Sequence, residues 1–537
     1  MNTKCSACAL IAAFVSQGPL LAIDVDNPPV GVFSDEWYIL RIKGQKSGHA
    51  HAVMERVNHP GRDVIRSRTD MVMEMGRAGQ GVKVEAIQQT EESLDGEPLA
   101  FANRMKLGVM PGPSTSGKIA NGKVTVTTAQ FGQQADKKIY DLPGGAMMAW
   151  AVYREQIKRG LKPGTKYELP LYEPSVTPER LTPTSIEILN RETIDLYGRK
   201  VEAVKTRQTI RIANMFGQQT GVETVTWVTD EGSAVRIEMS LMNLPIELVA
   251  CTKSVALAPN DPAELMLDTL IWSDKVVDPN ARKIVYRLML KDKSGKVELP
   301  DLPETDMQKI GRRGKDEVRL IVTRRGDEPG DPGKAELTAK ERQRYLAASS
   351  VVNYKDPAVA KLVKQAAGNE KDPGKLAERL CRFVGRYVKS KNLSVGFATA
   401  SEVARSKEGD CTEHGILLAA LGRAVGIPTR LVTGVVYADA FAGLKRVFVG
   451  HLWTQFWIDG RWVDLDAARG ETVVDPTHIA LSLSDAGDNS IADLVSSVWL
   501  NLGTLKLTVV SSEHGDESTP AGHRPGRKAT SQPRRWR

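Results

Sequence analysis

Glu408-Gly409-Asp410-Cys411-Thr412-Glu413-His414-Gly415, running on into Ile416-Leu417-Leu418-Ala419-Ala420-Leu421, is the stretch on which the reading of this chain turns. Asp410 is a good helix N-cap, because a short carboxylate can accept the N–H groups that a first turn leaves without partners. Glu413, three residues on, completes a capping-box signature. Cys411 then falls at the first helical position, near the positive end of the helix dipole. Such a position is one of the few that lowers the pKa of a thiol and favours the nucleophilic thiolate. The N–H groups of the same turn, that of Cys411 included, are placed to stabilise an oxyanion on an attacked carbonyl. Gly409 would let a substrate backbone come close. A lone cysteine here reads more readily as a small buried residue opening a core helix, so the neighbours decide.

Downstream, Val447 to Ile458 reads VFVGHLWTQFWI, then comes Asp459-Gly460, then Arg461 to Asp466 reads RWVDLD. Asp-Gly between two apolar runs is the signature of a two-residue type I′ hairpin. Such a turn sets Ile458 opposite Arg461, Trp457 opposite Trp462, Gln455 opposite Asp464 and Trp453 opposite Asp466. Side chains alternate, so His451, Trp453, Gln455 and Trp457 share a face with Trp462, Asp464 and Asp466. His451 lies one diagonal step from Asp466, about 7–8 Å at the backbone, within reach of two side chains meeting between them. A nucleophile at a helix tip, a base and an orienting carboxylate are then available from three elements.

Outward from these motifs, Pro357 opens a helix to Ala367 and Pro373 opens the next, since proline is tolerated in a first turn. Leu376, Leu380, Phe383, Val384, Tyr387 and Val388 form the core-facing stripe of the second helix, and Cys381 beside it reads as a packing thiol. Thr429–Tyr437 reads as a strand. Upstream, from about Asp35 to Ala250, runs rich in Val, Ile and Thr are separated by turns such as Tyr197-Gly198, with one helix over Met147–Lys158. Ile284–Leu290 and Val318–Val322 make a smaller β unit, and Arg324 to Lys334 has loop composition. The expected fold is multidomain α+β: an antiparallel β domain over 35–255, a small β domain over 262–323, a linker over 324–345 and an α+β domain over 346–507.

The 537 residues are 41% hydrophobic and 26% charged, which excludes wholesale disorder, a collagen-like repeat and a polytopic membrane protein. Six of the basic residues behind the net charge of +8 lie between Ala521 and Arg537 with no acid among them, in a basic tail expected to be disordered over 513–537. The folded part is close to neutral, which argues against nucleic acid as a partner. Lys4, the apolar run Ala7–Val15, Gly18-Pro19 and Ala22 before Asp24 have the order of a secretory signal over residues 1–22. A periplasmic or secreted protein with no integral span after cleavage is therefore expected. Cys5 and Cys8 would leave with the signal. Cys251, Cys381 and Cys411 are too few for a disulfide framework.

GDCTEHGILLAALGRAVGIPTRLVTGVVY (Gly409–Tyr437) and GHLWTQFWIDGRWVDLDAA (Gly450–Ala468) resemble the nucleophile helix and the His and Asp blocks of the transglutaminase-like superfamily. The resemblance implies a papain-like core, Cys411 as nucleophile, His451 as base and acid, Asp466 as its partner, and no cofactor or metal. Many members carry Glu where Gln455 stands and Pro where Ala467 stands. The activity implied is acyl transfer through a thioester on Cys411. With water as acceptor the chain is a peptidase or amidase acting on a protein, peptide or amide, which is the preferred reading. With a lysine amine it is a cross-linking transglutaminase. Two other classes remain open: a non-catalytic scaffold binding peptide or glycan, and a metal site built on Cys411 and His414, which share a helix face, with His451. No CxxC or HExxH accompanies the latter.

Overall fold

The computed structural model describes residues 23–59, 61–108, 110–129, 136–213, 219–241, 244–291, 299–325, 336–390, 398–487 and 502–514. The signal segment, residues 326–335 of the expected linker and the basic tail beyond residue 514 lie outside the described residues. The protein is mostly β, and it divides into two compact units at Glu264 and Leu265.

The first unit is a 14-stranded antiparallel sheet. Its strands alternate cleanly: in Gln80–Ser93, Val82, Val84, Ala86, Gln88, Thr90 and Glu92 are buried and their neighbours face outward. Each strand from Gly31–Ile42 to Asp136–Asp141 pairs with the next, and Leu244–Cys251 returns to pair with the first, Trp37 opposite Cys251. Tyr197 and Gly198 turn one hairpin with φ of 56° and 81°, the positive pair a type I′ turn demands. The helix Ala149–Arg159 has no side-chain cap of its own. The buried Glu92 supplies one from the sheet, accepting from the N–H groups of Trp150 (2.7 Å) and Ala151 (2.9 Å). Burial pushes that carboxyl up to about 7 in spite of these bonds.

The second unit contains two sheets and five helices among its described residues. One sheet sets the strands in the order Gln308–Arg313, Glu317–Thr323, Lys283–Leu290, Leu505–Glu513. The other sets Ile271–Trp272, Leu444–Ile458, Thr429–Phe441, His478–Ser484, with Arg461–Leu465 also on Leu444–Ile458. Ile284, Tyr286, Leu288 and Leu320 pack with Val435, Tyr437, Phe448, Ile479 and Leu507 in one core. The small β stretch expected over 262–323 thus shares its interior with the second sheet, and its fourth strand comes from the far end of the chain, across the expected boundaries at 507 and 513. Within the stretch read as linker, Ala339–Leu346 is a helix, opened by a Thr338–Glu341 capping box. The helix Pro357–Ala367 has the expected bounds and Pro373–Tyr387 the expected start, each capped by an aspartate with proline at the first position.

Candidate active site

Cys411 opens the helix Cys411–Ala424, and the capping box closes as its chemistry requires. Asp410 Oδ1 accepts the N–H of Thr412 at 2.8 Å, and Glu413 Oε2 accepts the N–H of Asp410 at 2.8 Å. Glu413 Oε1 also accepts the N–H of Ala398 at 3.0 Å. Burial, and then the neighbouring Asp410 carboxylate, push the Glu413 carboxyl well up. The role foreseen for Gly409 changes. Its φ is +147°, and a Cβ there would stand 2.2 Å from Glu413 Cβ, so the glycine makes room for the capping side chain. The box also takes the N–H groups of Thr412 and Glu413, which removes both from the set of oxyanion donors. His414 is buried, and its Nδ1 meets the Asp410 carbonyl oxygen at 2.6 Å.

Two glycines bring this helix onto the strand Leu444–Ile458. A Cβ on Gly415 would lie 2.2 Å from Leu452 Cδ2, and one on Gly422 would lie 2.6 Å from the Phe456 ring. Thr454 Oγ1 donates to the Gly415 carbonyl at 3.0 Å. The helix therefore packs on the face made by Leu452, Thr454 and Phe456. His451, Trp453 and Gln455 alternate to the other side.

The hairpin has the register that Asp459-Gly460 dictates: φ is 49° and 77°, and Ile458 faces Arg461, Trp457 faces Trp462, and Gln455 faces Asp464. The ladder ends at Thr454 opposite Leu465, so Trp453 and Asp466 are not an opposed pair. Asp466 instead exchanges backbone hydrogen bonds with Glu471 (2.9 and 2.8 Å) as the chain turns at Gly470. On this edge of the long strand the next pairing is Ile271 with Phe448, which leaves His451 in a gap between two short partners.

The carboxylate still reaches the imidazole. His451 Nε2 donates to Asp466 Oδ2 at 2.7 Å, with both side chains buried. That bond fixes the tautomer and leaves Nδ1 as the ring atom for proton exchange. Asp464 anchors the layer behind, accepting from Trp453 Nε1 (2.7 Å) and Gln455 Nε2 (2.8 Å). Gln455 in turn accepts from Arg430 Nε at 2.7 Å, a donor-and-acceptor bridge that a glutamate could not make.

One residue was missed. His478 donates from Nε2 to the same Asp466 Oδ2 at 3.2 Å, and its ring stands edge-on to Trp453 at 5.2 Å and to His451 at 5.8 Å. Asp475 holds its other nitrogen, with the carbonyl oxygen at 3.2 Å and Oδ1 at 3.4 Å. Burial would strip this ring of charge, but Asp466 and Asp475 outweigh it and raise its pKa to about 10. Burial likewise would raise Asp466, but His451 and His478 hold it well below the ordinary carboxylate range. The donor atoms of His451, Asp466 and His478 all lie within 4.8 Å of one another, a spacing that could hold a metal. Here those donors are already spent on one another.

The remaining thiols differ in setting. Cys381 is buried, gives its hydrogen to the Glu471 carbonyl at 3.5 Å, and is pushed far up by burial. Cys251, in the first unit, is also pushed up by burial. Among the described residues none of Cys251, Cys381 and Cys411 is joined in a disulfide.

The fold sets a cysteine at the tip of a helix packed on a sheet that carries a histidine–aspartate pair. Residues 360–467 match the transglutaminase-like superfamily, so the chain carries a transglutaminase-like domain. Similar solved structures include a candidate cysteine protease from Cytophaga hutchinsonii, 14% identical over 42% of this chain and 83% of that one, with a TM-score of 0.26. A candidate protease from Parabacteroides distasonis is 11% identical over 72% of this chain and 69% of that one, with a TM-score of 0.18. A β-barrel-like protein from Brucella abortus is 11% identical over 44% of this chain and 98% of that one, with a TM-score of 0.29. No curated protein matches the chain.

Proposed function

We propose that the protein is an exported cysteine-dependent acyl-transfer enzyme that hydrolyses peptide or amide bonds through a thioester on Cys411. The observation that carries this reading is the buried 2.7 Å bond between His451 and Asp466, set in an edge gap of the strand on which the Cys411 helix packs. On this reading Cys411 and His451 act as a thiolate–imidazolium pair, with Nδ1 as the ring atom that exchanges the proton. The thiolate adds to the carbonyl carbon, His451 gives its proton to the departing amine, and the C–N bond breaks to leave the thioester. His451 then takes a proton from water as its oxygen attacks, and the C–S bond breaks to release the acid and restore the pair. Protein or peptide is the substrate class that fits this chemistry. Export follows from the order of charge, apolar run and small residue at the N-terminus.

Iodoacetamide tests the reading without a known substrate. Cys411 is expected to be alkylated at about pH 5–6, far below the ordinary thiol pKa of about 8.5. Cys251 and Cys381 should resist, and His451→Ala should abolish the reaction. A Cys411 as inert as Cys381 at that pH would sink the proposal. A lysine analogue incorporated in place of water, with an acyl donor supplied, would move the assignment to transamidation.

A further inference from the structure

We propose that His478 is a positioning residue of this reaction: seated on Asp475, it holds Asp466 on His451 and sets the pH range over which the Cys411–His451 pair stays ionised. This rests on the functional reading above. The arrangement is an alternating series, Asp475, His478, Asp466, His451, in which Asp466 Oδ2 accepts from both rings, at 2.7 Å from His451 and 3.2 Å from His478. A carboxylate with one partner can pivot. One with two rings on Oδ2 and the Arg469 N–H on Oδ1 at 3.1 Å cannot. The sequence builds the seat locally. Asp475 Oδ1 accepts the N–H of Thr477 at 2.9 Å, which folds the Asp475-Pro476-Thr477 turn, and the strand His478–Ser484 begins at once. Gly434 opens the space: a Cβ there would stand 2.9 Å from Trp453, whose indole lies between the two histidines' surroundings.

The charges facing His478 decide its effect. Asp466, Asp475 and Glu471 are the carboxylates of the turn, and Arg469 is their cation, with Nε 3.1 Å from Glu471. Asp464 faces it from the hairpin, a neighbour of Trp453. Tyr286 comes from the four-stranded sheet, its hydroxyl on the Pro476 carbonyl at 3.0 Å, and Cys381 from the helix Pro373–Tyr387 lies against Glu471. With three carboxylates in the turn, Arg469 and a charged His478 leave one negative charge, and a protonated His451 balances it. His478 thus shares Asp466 with the base and tempers how strongly the carboxylate holds the second proton of His451. Without that cation the imidazolium would persist to higher pH.

The test is the pH profile of Cys411 alkylation by iodoacetamide in the full chain, compared with His478→Gln and His478→Asn. The glutamine keeps an N–H for Asp466 and removes the charge. The step at which His451 loses its proton should move upward by about one pH unit or more in both variants, the scale of a unit charge one ring away in a protein interior. Two variants guard against one that fails to fold. A purely structural role predicts a lower alkylation rate with the step unmoved, and that result, or a downward shift, overturns the inference. Absence of low-pH reactivity in the unaltered chain would instead overturn the functional reading on which it stands.

Discussion

Asp466 shows how a buried charge is kept. Burial of a carboxylate costs free energy unless donors replace its water. Here two imidazoles and a backbone N–H do so, and the group stays ionised well below its usual range. Its contribution to stability is therefore present above about pH 4 and is lost as the pH falls toward the depressed folded-state value. Asp466→Asn keeps an acceptor oxygen but removes the anion that favours the His451 imidazolium. Alkylation of Cys411 at about pH 5–6 should fall on the order of 100-fold or more, against an unchanged fold by circular dichroism. Reactivity equal to that of the unaltered chain would mean that Asp466 does not govern the base. His478 has the opposite sign. Its folded-state pKa of about 10 lies above the value of about 6.5 expected unfolded, so the folded state binds the extra proton between them. The stability it confers is complete below about pH 6.5 and is lost as the pH rises toward 10. Urea midpoints should fall over that window in the unaltered chain and stay flatter in His478→Gln, which should also be the less stable protein at pH 6.

At the scale of elements, the Cys411 helix and the His451 strand are held at one separation by the absence of side chains. Gly415→Ala gains helix propensity of about 1 kcal/mol, yet its methyl would enter the space of Leu452, which is 2% exposed and has nowhere to retreat. Overpacking of this kind costs about 1–3 kcal/mol. The net effect should be destabilising by urea denaturation, and Leu452→Ala in the same chain should recover part of the loss. The same elements show what the sequence could reveal. Asp459-Gly460 fixes a register as far as Thr454 opposite Leu465 because a two-residue turn leaves no slack, but Asp466 leaves that ladder to pair with Glu471, so its reach to His451 depends on a turn that spacing does not show. Asp410 and Glu413 announce the helix start because capping is a local hydrogen-bond pattern. His478 carries no such signal: it lies beyond a turn whose course depends on Glu471 pairing with Asp466, and it reaches the site only through sheet pairing with Thr429–Phe441, Val436 opposite His478. The packing role of Gly409 was hidden for a related reason, since a positive φ chosen to fit a neighbour looks the same in sequence as one chosen to admit a ligand.

At the scale of the molecule, the site depends on residues far from it in the chain. The strand Leu505–Glu513 pairs with Lys283–Leu290, Leu288 opposite Leu507, and Leu505 and Leu507 are buried in the core that also holds Tyr437 and Phe448. Tyr286, on the paired strand, reaches the Pro476 carbonyl beside Asp475. Ending the chain before Leu505 would remove Leu505, Leu507 and Val509, each contributing about 1.5–3 kcal/mol by burial. It would also expose the edge of Lys283–Leu290 and its row of backbone donors and acceptors. The sum is comparable to the whole stability of a domain, about 5–15 kcal/mol. Such a truncation should abolish low-pH labelling of Cys411 although Leu505, Leu507 and Val509 are not residues of the site. Ending it after His514 should leave labelling unchanged. The segment from Leu265 to His514, which carries this core and every residue of the site, should label as the full chain does. If it folds by circular dichroism but does not label, the first unit contributes to the chemistry directly, and the division of labour between the two units must be redrawn.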